Sequence, residues 1–294
     1  MNLRIGTRRS RLALAQAGEV AERLARTGIE SEVVPMTTSG DRGSPVAESP
    51  AGMKGLFVAE IVRALQAGEI DVAVHSAKDL PAADDEGVVV EAVPPRADPS
   101  DLLVTRDPSL RAGAIVGTSS VRRRAQLLAL RPELRIVEIR GNVDRRLRKL
   151  EDGEVDGVVL AAAGIARLGV ATPSSEVLPI VPAPGQGCLA VQARTDDDAT
   201  REAVASLDDP DSRVAFDAER SVMARLGGGC ALPLGALATV TRDTVRLVAL
   251  VANPDGSLIV RAESEASTAE GAAEAASAKL LAGGAGEILA HVRP

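Results

Sequence analysis

Short apolar runs alternate with amphipathic patterns of helical period along most of this chain. That alternation confines the fold to βαβ units on mostly parallel sheets, because a strand buried on both faces reads apolar and its crossover helix reads with a 3.6 period. Residues 3–6 read as a strand, and 10–25 as a helix with Ala13, Ala17, Val20 and Leu24 on one face. Residues 32–37 read as a second strand, 55–67 as a helix and 71–75 as a strand. Between them, residues 38–55 are rich in Gly, Ser and Pro, which predicts a mobile loop or lid rather than a packed element.

The pattern restarts at Ala97. Strands are expected at 101–105, 114–117, 135–139 and 157–162, with helices at 121–130 and 143–151. Residues 179–187 (PIVPAPGQG) interrupt it as a connector, and the strand expected at 189–194 returns to the first lobe. The last stretch differs. A helix at 213–226 precedes three strand-like runs near 232–240, 244–252 and 257–265, with turns at Arg242-Asp243 and Pro254-Asp255-Gly256, and an Ala-rich helix from about 268. The expected fold is α/β: two lobes joined by two crossings, as in a hinged binding protein, plus a small α+β domain. Domain 1 is residues 1–95 with 188–207, domain 2 is 96–187, and domain 3 is 208–294.

Composition narrows the function. Two Phe and no Tyr or Trp leave almost no platform for base stacking, and a net charge of −7 is the wrong sign for a nucleic-acid footprint. The N-terminus is charged and lacks the apolar core of a signal peptide, and the longest apolar run, near 158–166, is far short of a bilayer span. Two cysteines, Cys188 and Cys230, make no disulfide framework. The expected location is the cytoplasm, with reduced thiols and no membrane or nucleic-acid partner. Lysine occurs only at 54, 78, 149 and 279, so the cations are overwhelmingly Arg, the better residue for a two-pronged grip on carboxylate or phosphate.

Those cations cluster where ligands bind in open α/β sheets, beyond the carboxyl ends of strands. After the successive expected strands come Thr7, Arg8, Arg9 and Ser10; His75, Ser76, Lys78 and Asp79; Thr118, Ser119, Ser120, Arg122 and Arg123; and Arg140, Asn142, Arg145 and Arg146. In Gly117-Thr-Ser-Ser-Val-Arg-Arg, hydroxyl residues cap a helix start whose free N–H groups favour an anion. The same motif alone would also suit an ordinary cap with solvated arginines. Several such turns on one cleft point to a ligand with many carboxylates or phosphates. No G-x-x-x-x-G-K-[ST] or strand-linked G-x-G-x-x-G motif is present, and His75, His291 and the cysteines have no metal-ligand spacing.

Asp79, between Lys78 and Leu80-Pro81, is either a turn cap or a carboxylate able to orient N–H groups, stabilise a cation or move protons. His75 reads as a core residue. Cys188, at the start of a strand, reads as a buried small hydrophobe. Cys230 follows Gly227-Gly-Gly, a sterically open turn where a bulky adduct could be attached. Two other readings stay open on residues alone: a bilobal binding or sensing module for a small polycarboxylate, and an enzyme acting on a phosphate ligand.

Seven segments together resemble the porphobilinogen deaminase (hydroxymethylbilane synthase) family: Ile5-Gly-Thr-Arg-Arg-Ser-Arg-Leu-Ala-Leu-Ala-Gln, Lys54-Gly-Leu-Phe-Val, Val74-His-Ser-Ala-Lys-Asp-Leu-Pro, Gly117-Thr-Ser-Ser-Val-Arg-Arg, Ile139-Arg-Gly-Asn-Val, Pro184-Gly-Gln-Gly and Leu226-Gly-Gly-Gly-Cys-Ala-Leu-Pro-Leu-Gly. They fall in family order over nearly the whole chain. The resemblance implies two periplasmic-binding-protein-like lobes with a hinge and a third domain, acting as a monomer in tetrapyrrole (haem) biosynthesis. The implied reaction joins four porphobilinogen molecules head to tail, with loss of ammonia, to give hydroxymethylbilane. It implies a dipyrromethane cofactor on a thioether to Cys230. Asp79 would serve the chemistry. Arg8, Arg122, Arg123, Arg140 and Arg146 would bind acetate and propionate groups, helped by Ser10, Ser76, Lys78, Thr118, Ser119 and Ser120. Lys54 and Phe57, on the mobile loop and at the site, and Asn142 and Gln186 complete the implied substrate contacts. Two positions depart from the usual pattern: Ala77 stands where Met is frequent, and Cys188 where Ala is frequent.

Overall fold

The computed structural model describes residues 1–37, 50–227 and 232–292, with the backbone alone at 50–57. The chain opens with β1 (Asn2–Arg8), α1 (Arg11–Arg26), β2 (Glu30–Met36), α2 (Pro50–Gln66) and β3 (Val72–Ser76), followed by a 3-10 turn at Ala77–Asp79 and β4 (Val88–Ala92). A second set follows: β5 (Asp101–Thr105), β6 (Ile115–Gly117), α3 (Val121–Leu130), β7 (Arg135–Val137), α4 (Val143–Glu151), β8 (Gly157–Ala161), α5 (Ala162–Leu168) and β9 (Ser174–Val177). Next come β10 (Leu189–Arg194), α6 (Asp198–Ala205) and α7 (Pro210–Arg225). The chain ends with β11 (Leu234–Thr241), β12 (Thr244–Ala252), β13 (Ile259–Ala266), α8 (Ala269–Ala282) and α9 (Ala285–Val292).

Two five-stranded sheets, β2-β1-β3-β10-β4 and β7-β6-β8-β5-β9, share one plan. In each, three parallel strands are followed by one antiparallel strand and an edge strand paired to it. The antiparallel strand of each lobe is the one that enters straight after the chain crosses from the other lobe: β5 follows β4, and β10 follows β9. Because β5 and β10 run against their neighbours, their first residues lie level with the carboxyl ends of the parallel strands. Asp101 is opposite Ala161, the end of β8, and Leu189 is opposite Ser76, the end of β3. Both crossings therefore arrive at the side of the sheet where a ligand binds.

Helix α1 shows why the sequence folds this way locally. Ser10 caps it, its hydroxyl accepting from the Ala13 N–H, and Ala13, Ala17, Val20 and Leu24 are buried on one stripe against the sheet. The third unit is a three-stranded antiparallel sheet, β11-β12-β13. Its core joins Ala218 and Val222 of α7, Leu247 and Val251 of β12, and Ala272, Ala276 and Leu280 of α8. Small side chains let α8 approach the sheet closely. Its other face packs Leu250 and Ala252 on Ala125 of α3, while Phe216 of α7 joins a core of the first lobe. The small domain thus touches both lobes.

The strands and helices expected from sequence are present, and β10 pairs in the first sheet as expected. The reading of residues 38–55 as one unstructured loop is corrected at its end: α2 begins at Pro50, where a proline fits the first turn of a helix, and the isolated Gly52 and Gly55 do not break it. The rest of that expected lid, 38–49, lies outside the described residues. Sequence reading placed no element at β4, α5, β9, α6 or α9, all of four to eight residues, too short for a clear period.

Candidate functional site

The carboxyl ends of the parallel strands of the two lobes border one open cleft with a cavity of about 90 Å³. Gln16 and Ser76 line it from the first lobe with Lys78, and Arg123, Arg146 and Arg167 line it from the second. Lys78 and Asp79 lie in the 3-10 turn directly after β3, whose backbone is fixed by the Ala77 N–H donating to the Cys188 carbonyl at 3.1 Å. The Ser76 hydroxyl accepts from Gln16 Nε2 at 2.7 Å. Arg146, in the first turns of α4, donates from Nε to the Gly141 carbonyl at 2.9 Å. Its guanidinium is pushed down to about 10 by burial and by the Arg123 charge, with Asp79 opposing. Arg146 still carries its charge at neutral pH. The cleft therefore holds crowded positive charge that an anionic ligand would relieve. Asp79 follows Lys78 in the 3-10 turn, next to the cleft lining.

The Thr118-Ser119-Ser120 turn is built as a helix start. The Ser120 hydroxyl accepts from the Arg123 N–H at 3.4 Å, the Thr118 hydroxyl accepts from the Ser120 N–H at 3.2 Å, and the Ser119 hydroxyl donates to the Ile139 carbonyl. Asn142 caps α4 by accepting from the Arg145 N–H at 3.0 Å. Arg140 is exposed, with Nε 2.8 Å from Glu138. Ser10 caps α1, and Arg8 ends β1 at its side.

Arg122 and Arg123, alike in sequence, part in the structure. Both reach Asp101, a buried carboxylate at the start of β5. Arg122 Nη1 is 2.7 Å from its Oδ2, and Arg123 Nη2 is 2.6 Å and Nε 2.9 Å from its Oδ1. Arg122 Nη1 also donates to the Val181 carbonyl at 2.6 Å, and the residue is 3% exposed, so its contacts are with the scaffold. Arg123 grips Asp101 and yet borders the cleft. Burial raises the Asp101 carboxyl, but Arg122 and Arg123 outweigh it and hold the group below the usual carboxylate range.

Gln186, expected among substrate contacts, is 1% exposed and fully engaged by protein: Nε2 donates to the Pro99 carbonyl at 2.6 Å and to Asp101 Oδ1 at 2.9 Å. His75 is a core residue, as expected, pushed down to about 4 by burial against the opposing effects of Asp79 and of hydrogen bonding to Gln192. Cys188 is buried too, its thiol pushed up to about 12 chiefly by that burial. The Lys54 and Phe57 side chains and the whole of Cys230 lie outside the described residues; the described chain stops at Gly227 after α7 and resumes just before β11. Among the described residues no group of acidic, His or Cys side chains could hold a metal.

Sequence reading missed two residues. Arg167 lies in the last turn of α5, with Nε 2.9 Å from Glu19 and Nη2 donating to the Gly187 carbonyl at 3.2 Å. It comes more than a turn after the end of β8, beyond the reach of a rule that looks only at strand ends. Asp101 was missed because a strand's first residue ordinarily lies at the end of the sheet away from the ligand; the antiparallel direction of β5 puts it at the ligand end. The paired arginines, needing a counter-charge once buried, were the available signal.

Comparison with known proteins accords with this geometry. Residues 3–202 match the family model described as porphobilinogen deaminase, dipyromethane cofactor binding domain, and residues 214–282 match its C-terminal domain. Porphobilinogen deaminase of Syntrophotalea carbinolica is 48% identical over 301 residues, covering 98% of this chain and 95% of that one. The protein of the same name from Brevibacillus brevis is 42% identical, covering 98% and 97%. That from Geobacillus kaustophilus is 49% identical, covering 87% of this chain and 86% of its own. Two family models in order and identity of this depth across both lobes and the small domain leave the binding-module and phosphate-enzyme readings without support: this chain belongs to the porphobilinogen deaminase family.

Proposed function

We propose that the interlobe cleft is where this chain condenses four porphobilinogen molecules into hydroxymethylbilane. The observation that carries the reading is the meeting of Lys78, Arg123, Arg146 and Arg167 at one cleft, with Asp79 the next residue after Lys78 in the turn that ends β3. Each porphobilinogen brings an acetate and a propionate, so a chain growing one unit at a time needs several cations within one cleft. The same donor set fits a dipyrromethane, whose two rings carry four carboxylates. When bound, dipyrromethane supplies the open pyrrole carbon to which the first unit is joined. Its attachment is assigned to the Cys230 sulfur.

Loss of ammonia from the aminomethyl group of porphobilinogen leaves positive charge delocalised onto the pyrrole nitrogen. The Asp79 carboxylate stabilises that charge and accepts the proton released when the rings couple. Lys78, Arg123, Arg146 and Arg167 hold the carboxylates, with Arg8, Arg140, Ser10 and Ser76 along the path. Arg122 holds Asp101, which in turn fixes Arg123. Ser119, Ser120 and Asn142 shape the helix starts that face the anions. Lys54 and Phe57 are assigned to substrate binding.

The domains are read as 1–95 with 188–207, 96–187 and 208–294; the crossings into β5 and β10 support the limits between the two lobes. The protein is read as a cytoplasmic monomer without nucleic-acid or membrane partners. Among the described residues no helix is long and apolar enough to cross a membrane.

Replacement of Asp79 by Asn tests the central role. Asp79→Asn preserves shape but removes the charge, and turnover is expected to fall by about 10²–10⁴-fold, the usual weight of an acid–base group, with the unfolding midpoint little changed. Product formation at the parent rate would refute the assignment.

A further inference from the structure

The two chain crossings meet at Gln186. Arg96 and Ala97 of the first crossing bond to the second: Arg96 Nε donates to the Gln186 carbonyl at 2.9 Å and the Ala97 N–H to the Gly187 carbonyl at 3.2 Å. The Gln186 side chain reaches back the other way. Its Nε2 donates to the Pro99 carbonyl and to Asp101 Oδ1, and its Oε1 accepts from Lys78 Nζ at 3.4 Å. A side-chain amide in such a place has one acceptable orientation. Turned over, it would set its own oxygen against the Pro99 carbonyl and an ionised Asp101 oxygen, and its NH2 against an ammonium. Asp101 is kept ionised by Arg122 and Arg123, so the orientation is held from the second lobe.

We propose that Gln186 is a positioning residue for Lys78, presenting a fixed acceptor that directs the ammonium into the cleft, with Asp101 setting that acceptor across the hinge. The inference rests on the cleft being the carboxylate site. Lysine needs such help more than arginine does: its charge rides on a flexible four-carbon stem whose ordering costs entropy at each binding event. Lys78 and Arg123 then share one support. Asp101 grips Arg123 directly and Lys78 through Gln186, so the cations contributed by the two lobes are referenced to a single buried carboxylate.

Gln186→Met keeps length and volume but removes the acceptor and the donor. In the holoenzyme, KM for porphobilinogen is expected to rise roughly tenfold, the weight of one hydrogen bond to a charged group, while kcat moves far less. In a Lys78→Met background the same change is expected to have no further effect on KM, because the two act as one unit. With four lysines in the chain, 13Cε-lysine NMR follows Lys78 directly, and Gln186→Met should displace that resonance alone. The reverse experiment needs no Gln186 variant: Lys78→Met should displace the side-chain amide resonances of Gln186. An unmoved Lys78 resonance in Gln186→Met, unmoved Gln186 amides in Lys78→Met, or a KM effect that persists in full without Lys78 would each overturn the proposal. Failure of the cleft assignment reads differently: Lys78→Met would itself leave KM unchanged.

Discussion

Arg96 and Glu219 face each other as a two-pronged pair, Nη1 to Oε1 at 2.6 Å and Nη2 to Oε2 at 3.1 Å. Glu219 has no exposed surface, and its oxygens also accept from the Gly185 N–H at 2.6 Å and the Ala238 N–H at 2.8 Å. One carboxylate thus joins the first crossing, the second crossing and the small domain. Glu219→Ala leaves a buried guanidinium and two backbone donors unsatisfied, and the expected cost is about 3–5 kcal/mol of folding stability. Urea unfolding measures it. A loss under 1 kcal/mol would mean that water or a neighbour replaces the carboxylate and that the junction is not a fixed point.

Acid stability follows from two buried groups titrating in different windows. His75 is depressed to about 4 against an unfolded value near 6.5, so unfolding takes up a proton at His75 in that interval and stability falls as pH drops through it. Asp101 is held below its unfolded value of about 3.9, so its contribution is whole at neutral pH and shrinks only below that value. Urea midpoints between pH 7 and pH 4 should decline in the parent, and the decline should flatten in His75→Gln. An equal decline in the variant would show that other groups set the acid limit.

Gly185 occupies a left-handed conformation, φ 72°, and a Cβ there would sit 3.0 Å from the Ala77 carbonyl carbon and 3.1 Å from the Lys78 nitrogen. Gly185→Ala carries a backbone cost of about 1–2 kcal/mol and presses on the turn that ends in Asp79. The expected outcome is a fall in kcat larger than the stability loss alone explains, read from turnover per folded molecule. Unchanged kcat would show that the turn tolerates displacement.

The sequence carried the lobes because the parallel strands, buried on both faces, leave unbroken apolar runs, as Val72–Val74 and Val158–Leu160 do. It carried Arg123 and Arg146 because the helix starts after strands have visible caps in Ser120 and Asn142, and Lys78 because it closely follows the end of an apolar strand. It could not separate Arg122 from Arg123. Adjacent residues on a helix point about 100° apart, and which of them meets the cleft depends on where Asp101 and the Val181 carbonyl lie. Gln186 was marked only by the family resemblance, and its place behind Lys78 depends on two crossings that are distant in sequence and adjacent in space.

The primer's attachment to Cys230 is the claim on which processive chain growth depends, since a tether keeps intermediates from leaving between rounds. Intact mass of the denatured protein tests it most directly. The parent is expected to carry an excess equal to one dipyrromethane, with further increments of one pyrrole unit after brief exposure to porphobilinogen, and Cys230→Ser is expected to carry neither. An unmodified parent mass, or the same excess retained in Cys230→Ser, would contradict the account.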